Sequence, residues 1–235
     1  MVSQGLAPES LLDSYEIERR AIADDVLANV KALNERLISY SQLPEAERDR
    51  LYRHTYVPEA ERLKTMRHMA ELDLDYRKSP ICADYRHSVG ADEQAAGGLH
   101  AGAEAVDAGP LEVDGRHLTA FDLFAGPHLT LLLLAGTEDH GRRHANTIQL
   151  ADEVARVYGD LIRVSIVLPA DADAAAFDDV PATIVRDLDG TMHERYGAQA
   201  GQTFLIRPDG YVGWCSDRPS LTALRDYLAK VLVCP

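Results

Sequence analysis

The stretch LTLLLLAG, Leu129 to Gly136, leaves a folding chain few choices. It is a continuous apolar run bounded by turn-forming residues. A strand exposed on one face would alternate polar and apolar residues, so this pattern marks a strand buried on both faces. Such a strand needs layers above and below it. At eight residues it is also far too short to cross a bilayer as a helix.

The surrounding sequence supplies those layers. LEVDG-RHLTA reads as a short hairpin turning at Asp114-Gly115. A helix is predicted from His144 to Tyr158, followed by the strand LIRVSIVLP, the short strand ATIVRD and the short helix TMHERYG. QTFLIRPDGYVGWC is predicted to be a hairpin turning at Pro208-Asp209-Gly210, with Phe204, Tyr211 and Trp214 as core and edge packing, and LTALRDYLAKVL a closing helix. The order β-α-β-α-β-β-α starts parallel and ends antiparallel. The expected fold class is α/β: an N-terminal helical segment, then a thioredoxin-like domain with a central mixed sheet flanked by helices.

The first part of the chain has a different period. Ser10, with Asp13 three residues on, resembles a capping box. Tyr15, Ile22, Val26, Val30, Leu33 and Leu37 then recur at helical steps along one long amphipathic helix. LPEAERDRLYRH from Leu43 and VPEAERLKTMRH from Val57 each place a proline at the first helical position, with carboxylates in the first turn where the helix dipole favours them. Two copies of PEAER cannot make a solenoid, so they read as one start signal used twice in a helical hairpin. From Ser79 to about Gly109 the chain is rich in Ala and Gly without an apolar period, and reads as a linker or surface loop. The expected domains are therefore 1–78, helical; 79–110, linker; and 111–235, thioredoxin-like.

Charge narrows the partners. A net charge of −14 disfavours nucleic acid and anionic membrane surfaces alike. No basic n-region with an apolar run opens the chain, so a cytoplasmic protein is expected. Three widely spaced cysteines, Cys82, Cys215 and Cys234, are neither a disulfide framework nor a zinc pattern.

LLDSYEIERRAIADDVL resembles the helix that follows the last FAD-contacting motif of the flavin-dependent aromatic hydroxylases, the family of phenol hydroxylase and many polyketide hydroxylases. ELDLDYRKSPICADYR resembles the segment after their substrate domain. LFAGPHLTLLLLAG with RYGAQAGQTFLIRPDGYVGW is similar to their C-terminal thioredoxin-like domain. Ala21 departs from the proline common in the family after Glu18-Arg19-Arg20. The resemblance implies a chain that begins where a hydroxylase's FAD domain would have ended. No G-x-G-x-x-G occurs, and the family's second, aspartate-bearing cofactor motif is missing, so no FAD binding by this chain alone is expected.

The place where thioredoxin-like domains carry Cys-x-x-Cys reads AGTEDHGRRH, without cysteine, so dithiol chemistry is not expected. In that loop Asp139 and His140 are the candidate acid/base pair, since a carboxylate can hold an imidazole in one tautomer. His140 and His144 are four apart but lack a signalled third ligand, so no metal site is expected. A solvated loop capping a helix is the plainer reading. Tyr15, Ile22 and Glu138 are candidates for contact with a ligand or partner, and the Glu16–Arg20 spacing for a surface ion pair. Three functions follow: a flavin-free tailoring protein binding an aromatic or polyketide-like molecule with non-redox catalysis; a non-catalytic half or accessory of a split hydroxylase, docking on a flavoprotein chain and supplying dimer contacts, with a homodimer as one expected assembly; or an inactive remnant.

Overall fold

A computed structural model describes residues 1–54, 58–70, 74–86, 99–136 and 141–233. The chain divides into two compact units, Leu12–Leu74 and a unit formed by Met1–Leu11 with Asp75–Pro235.

The larger unit is built on one eight-stranded sheet. Its strands are β1 (Ala83–Asp84), β2 (Leu111–Val113), β3 (Arg116–Leu118), β4 (Leu129–Leu134), β5 (Ile162–Pro169), β6 (Thr183–Asp187), β7 (Gln202–Ile206) and β8 (Val212–Ser216), in the order β1-β8-β7-β4-β5-β6-β2-β3. Strands β4, β5 and β6 run parallel; β7 is antiparallel to β4 and β8 to β7. The core β5-β4-β7-β8, with its βα crossover followed by a ββα unit, is the thioredoxin-like arrangement expected from the sequence. All six residues of β4 are buried, as its unbroken apolar run requires.

Alternate residues of the central strands feed two cores. On one face Leu132, Leu134, Val167, Val185 and Phe204 pack beneath the short helix α4 (Ala120–Phe124), the short helix Thr191–Arg195 and the segment from Leu99 to Ala108. On the other face Leu131, Leu133, Ile166, Leu205 and Trp214 pack beneath Gly141–Tyr158 and Leu221–Val231. The β2–β3 hairpin turns with Asp114 at φ 50° and Gly115 at φ 74°, the left-handed pair a two-residue turn demands.

The described part of 79–110 differs from a linker. Leu99, Ala101, Ala105 and Ala108 are buried, Gly102 N–H donates to the Val212 carbonyl and Ala105 N–H to the Gly210 carbonyl. This strap lies against the β7–β8 hairpin, and β1 adds a further parallel edge to β8. Alanine side chains are small enough to let backbone approach backbone here. Residues 87–98, which include Gly97 and Gly98, lie outside the described residues.

The smaller unit holds three helices: α1 (Leu11–Ser41, whose first residue belongs to the larger unit), α2 (Glu45–His54) and α3 (Glu59–Met69). Among its described residues only Ser14 and Glu18 are buried. The apolar stripe of α1 that the sequence marks is largely exposed, from Leu12 and Tyr15 through Val26, Val30, Leu33 and Leu37.

Candidate functional site

Strand β4 delivers the chain to the turn where catalytic residues were expected. Pairing continues one residue past the strand, with Ala135 N–H donating to the Val167 carbonyl at 3.0 Å. The helix Gly141–Tyr158, here α5, begins at Gly141, three residues before the expected His144. Glu138, Asp139 and His140 fall in 137–140, outside the described residues. His144 lies on the first turn of α5 with its ring edge-on to Phe177, centroids 5.0 Å apart.

Tyr15 and Ile22 are not equivalent. Tyr15 is 63% exposed with the Arg19 guanidinium 5.7 Å from its ring centre, whereas Ile22 is half-buried. The buried positions of α1, Ser14 and Glu18, lie four apart, and the half-buried Ile22 follows four residues further on. Glu16 and Arg20 pair at 3.3 Å on the exposed face.

Sequence reasoning missed a fully buried pair, Asp187 and His193. Asp187 ends β6, and His193 sits in the short helix Thr191–Arg195, here α6. The His193 imidazole and the Asp187 carboxylate meet at 2.7 Å through Nδ1 and Oδ2, and His193 main-chain N–H donates to the same oxygen at 2.9 Å. Burial pushes the Asp187 carboxyl upward, but the side-chain and main-chain donors of His193 outweigh it and hold it below the usual range. Both side chains are sealed from solvent, so the pair fastens α6 to β6 rather than meeting a substrate. A lone Asp and a His six residues apart give no periodic signal in the sequence.

Beside α6 opens a cleft of about 540 Å³ lined by Asp107, Pro110, His117, Asp122 and Arg195. Asp107 Oδ1 accepts from the amides of Ala108 at 3.1 Å and Phe121 at 3.2 Å; Asp122 Oδ2 accepts from Thr119 N–H at 2.8 Å. Arg195 donates to the Asp107 carbonyl at 2.8 Å. The volume matches a small organic molecule, and the lining offers both signs of charge.

The described cysteines have structural surroundings. Cys215 is buried on β8, and burial, with Asp84 beside it, pushes its thiol far above the ordinary range. Cys82 Sγ lies 3.9 Å from the Val212 carbonyl and 4.0 Å from Arg207. Cys234 lies outside the described residues. Among the described residues, no three His, Cys, Asp or Glu side chains gather as metal ligands do, and no helix is long and apolar enough to cross a membrane.

At two strand ends the backbone that a flavin's pyrophosphate would approach is already engaged. A pyrophosphate needs free amides at a strand-to-helix turn and a glycine left open for its approach. At the β6–α6 turn the amides of Thr191 and His193 already donate to the carboxylates of Asp189 and Asp187, at 3.0 and 2.9 Å. At the end of β4 the bare side of Gly136 is filled by protein, since a Cβ there would stand 2.5 Å from Gly201 N.

Comparison with solved structures places the chain beside two flavoproteins. The flavin-dependent monooxygenase PieE, solved with FAD and substrate, aligns with a TM-score of 0.57 and 21% identity over 97% of this chain and 42% of its own. Aklavinone-11 hydroxylase, solved with FAD and aklavinone, aligns with a TM-score of 0.52 and 23% identity over 97% of this chain and 36% of its own. This chain thus spans less than half the length of either hydroxylase. A comparison with curated protein sequences found no match. The family model described as "Aromatic-ring hydroxylase, C-terminal" matches residues 100–235, more than half of the chain and nearly all of its thioredoxin-like sheet. The chain belongs to the aromatic-ring hydroxylase C-terminal family.

Proposed function

We propose that this chain is the C-terminal module of an aromatic hydroxylase and acts with an FAD- and substrate-binding portion, to which it adds structure rather than redox chemistry. The observation that carries the reading is the family match over residues 100–235, together with alignment of 97% of the chain to under half of each hydroxylase. The exposed N-terminal end of α1, with Leu12 and Tyr15, suits contact with such a portion. In this reading the chain alone binds no FAD and works in the cytoplasm. The test is to purify it, add FAD and scan for flavin absorbance in the retained protein, then mix it with the FAD-bearing portion of an aromatic hydroxylase. A colourless chain that co-purifies with that portion and raises its NADPH-dependent product formation is the expected result. Mixing that changes neither refutes the proposal.

The cleft beside α6 favours a second reading, a flavin-free tailoring protein of polyketide or antibiotic biosynthesis. It would bind an aromatic ligand and promote a cyclisation or rearrangement by acid/base catalysis through Asp139 and His140, with Glu138 as a ligand contact. It requires turnover of an aromatic substrate without NADPH. That turnover would fall at least about 100-fold in Asp139→Asn or His140→Gln, in keeping with the weight of general acid/base groups.

A further inference from the structure

The C-terminal part of α1 carries an apolar seam with a second property: it is complementary to itself. From Val26 onward, Val26, Val30, Leu33, Leu37 and Tyr40 follow steps of four, three, four and three, the alternation of a helix that pairs with another helix. Val26, Leu27, Val30, Leu33, Leu37 and Ile38 are between 39% and 66% exposed. Among the described residues, the helical unit has no buried apolar side chain that would let these residues form a core of their own.

We propose that this seam is a homodimer interface in which α1 of one copy packs antiparallel against α1 of a second. The register that satisfies two-fold symmetry places Val30 opposite Leu33 of the partner, Val26 opposite Leu37 and Ala23 opposite Tyr40. Each layer sets a smaller side chain against a larger one, which is how facing helices fill space without voids. Beside the seam Asn29 comes opposite Arg36 and Leu27 opposite Asn34, so no like charges meet. The seam runs from Ala23 to Tyr40, about 26 Å of helix at 1.5 Å per residue. Its exposed side chains bury about 500 Å² per copy and about 1,000 Å² for the pair, the size at which a specific interface begins. The dimer leaves Leu12, Tyr15 and Ile22, toward the start of α1, outside the overlap, so it stands independently of flavoprotein docking.

The test is sedimentation equilibrium of the 235-residue chain alone from about 1 to 200 µM, with no flavoprotein present. A monomer–dimer equilibrium in the micromolar range is expected. Val30→Glu and Leu33→Lys, both on an exposed face, each weaken it about 100-fold while far-UV circular dichroism keeps the helix content of the parent. A one-to-one mixture of the two variants regains dimer, because an antiparallel pair brings the new carboxylate against the new ammonium. A parent monomeric at 200 µM overturns the interface, as does a dimer indifferent to Val30→Glu. A mixture that stays monomeric overturns the antiparallel register.

Discussion

Gly102 occupies a point where two stretches of backbone nearly touch. Its φ is +94°, and a Cβ would lie 2.2 Å from Arg77 N and 2.5 Å from the Tyr76 carbonyl carbon. Its own carbonyl accepts from Tyr76 N–H and its N–H reaches the Val212 carbonyl, so it ties the segment at Tyr76 to the hairpin. Gly102→Ala is expected to cost at least about 2 kcal/mol, from backbone strain and overpacking together, read as a lower urea midpoint. His193 acts at the same scale by a different force. His193→Ala removes the imidazole and leaves the buried Asp187 carboxylate with main-chain donors alone, which is expected to cost about 1–3 kcal/mol in chemical denaturation. A loss below about 1 kcal/mol would mean that water reaches Asp187 in solution.

At the scale of elements, the strap from Leu99 to Pro110 is held by contacts far apart in sequence. Tyr196 Oη donates to the Val106 carbonyl at 2.8 Å, Arg195 to the Asp107 carbonyl, and Leu188 N–H to the Pro110 carbonyl. Tyr196→Phe removes one such bond, worth about 1 kcal/mol, and lowers the melting temperature by about 2–4 °C in a chain of this size. Hydrogen exchange should quicken in 99–110 before it quickens in β4. The regular strands and helices were legible, because β4 is an almost wholly apolar run, β5 and β7 are rich in branched and apolar residues between turn signals, and the helix Leu221–Val231 carries a clean amphipathic period. The strap was not. Leu99, Ala101, Ala103 and Ala105 do alternate at steps of two, but alanine is common in loops and helices as well, so the spacing carries little weight without the hairpin beside it. Helix Ala120–Phe124 was legible in principle, as the Thr119–Asp122 spacing is a capping box.

The molecule as a whole is acidic, and its buried titratable groups set its response to pH. Burial and the nearby Arg163 hold the His128 imidazole below its ordinary 6.5. The folded state therefore binds this proton less readily than the unfolded chain, and stability falls as pH drops below about 6.5 toward the folded value. Asp187 is lowered from 3.8, so its contribution is complete above that value and is lost as pH falls through the lower folded one. Urea titrations at pH 7.5, 6.5 and 5.5 should show a smaller fall for His128→Gln than for the parent. Equal slopes would remove His128 from the account.

The α/β class, the order of elements and the thioredoxin-like core are written in local pattern, because apolar-rich strands and helical periods dictate which faces seek cover before any tertiary contact exists. The sequence also carried the family resemblance, through the opening helix and the β7–β8 hairpin. That 99–110 closes one face of the sheet, that Asp187 and His193 pair out of solvent, and that Asp107, Asp122 and Arg195 border one cleft emerges with the folded backbone. Each of these joins residues from separate elements, and such a contact depends on the path of the backbone rather than on any local period.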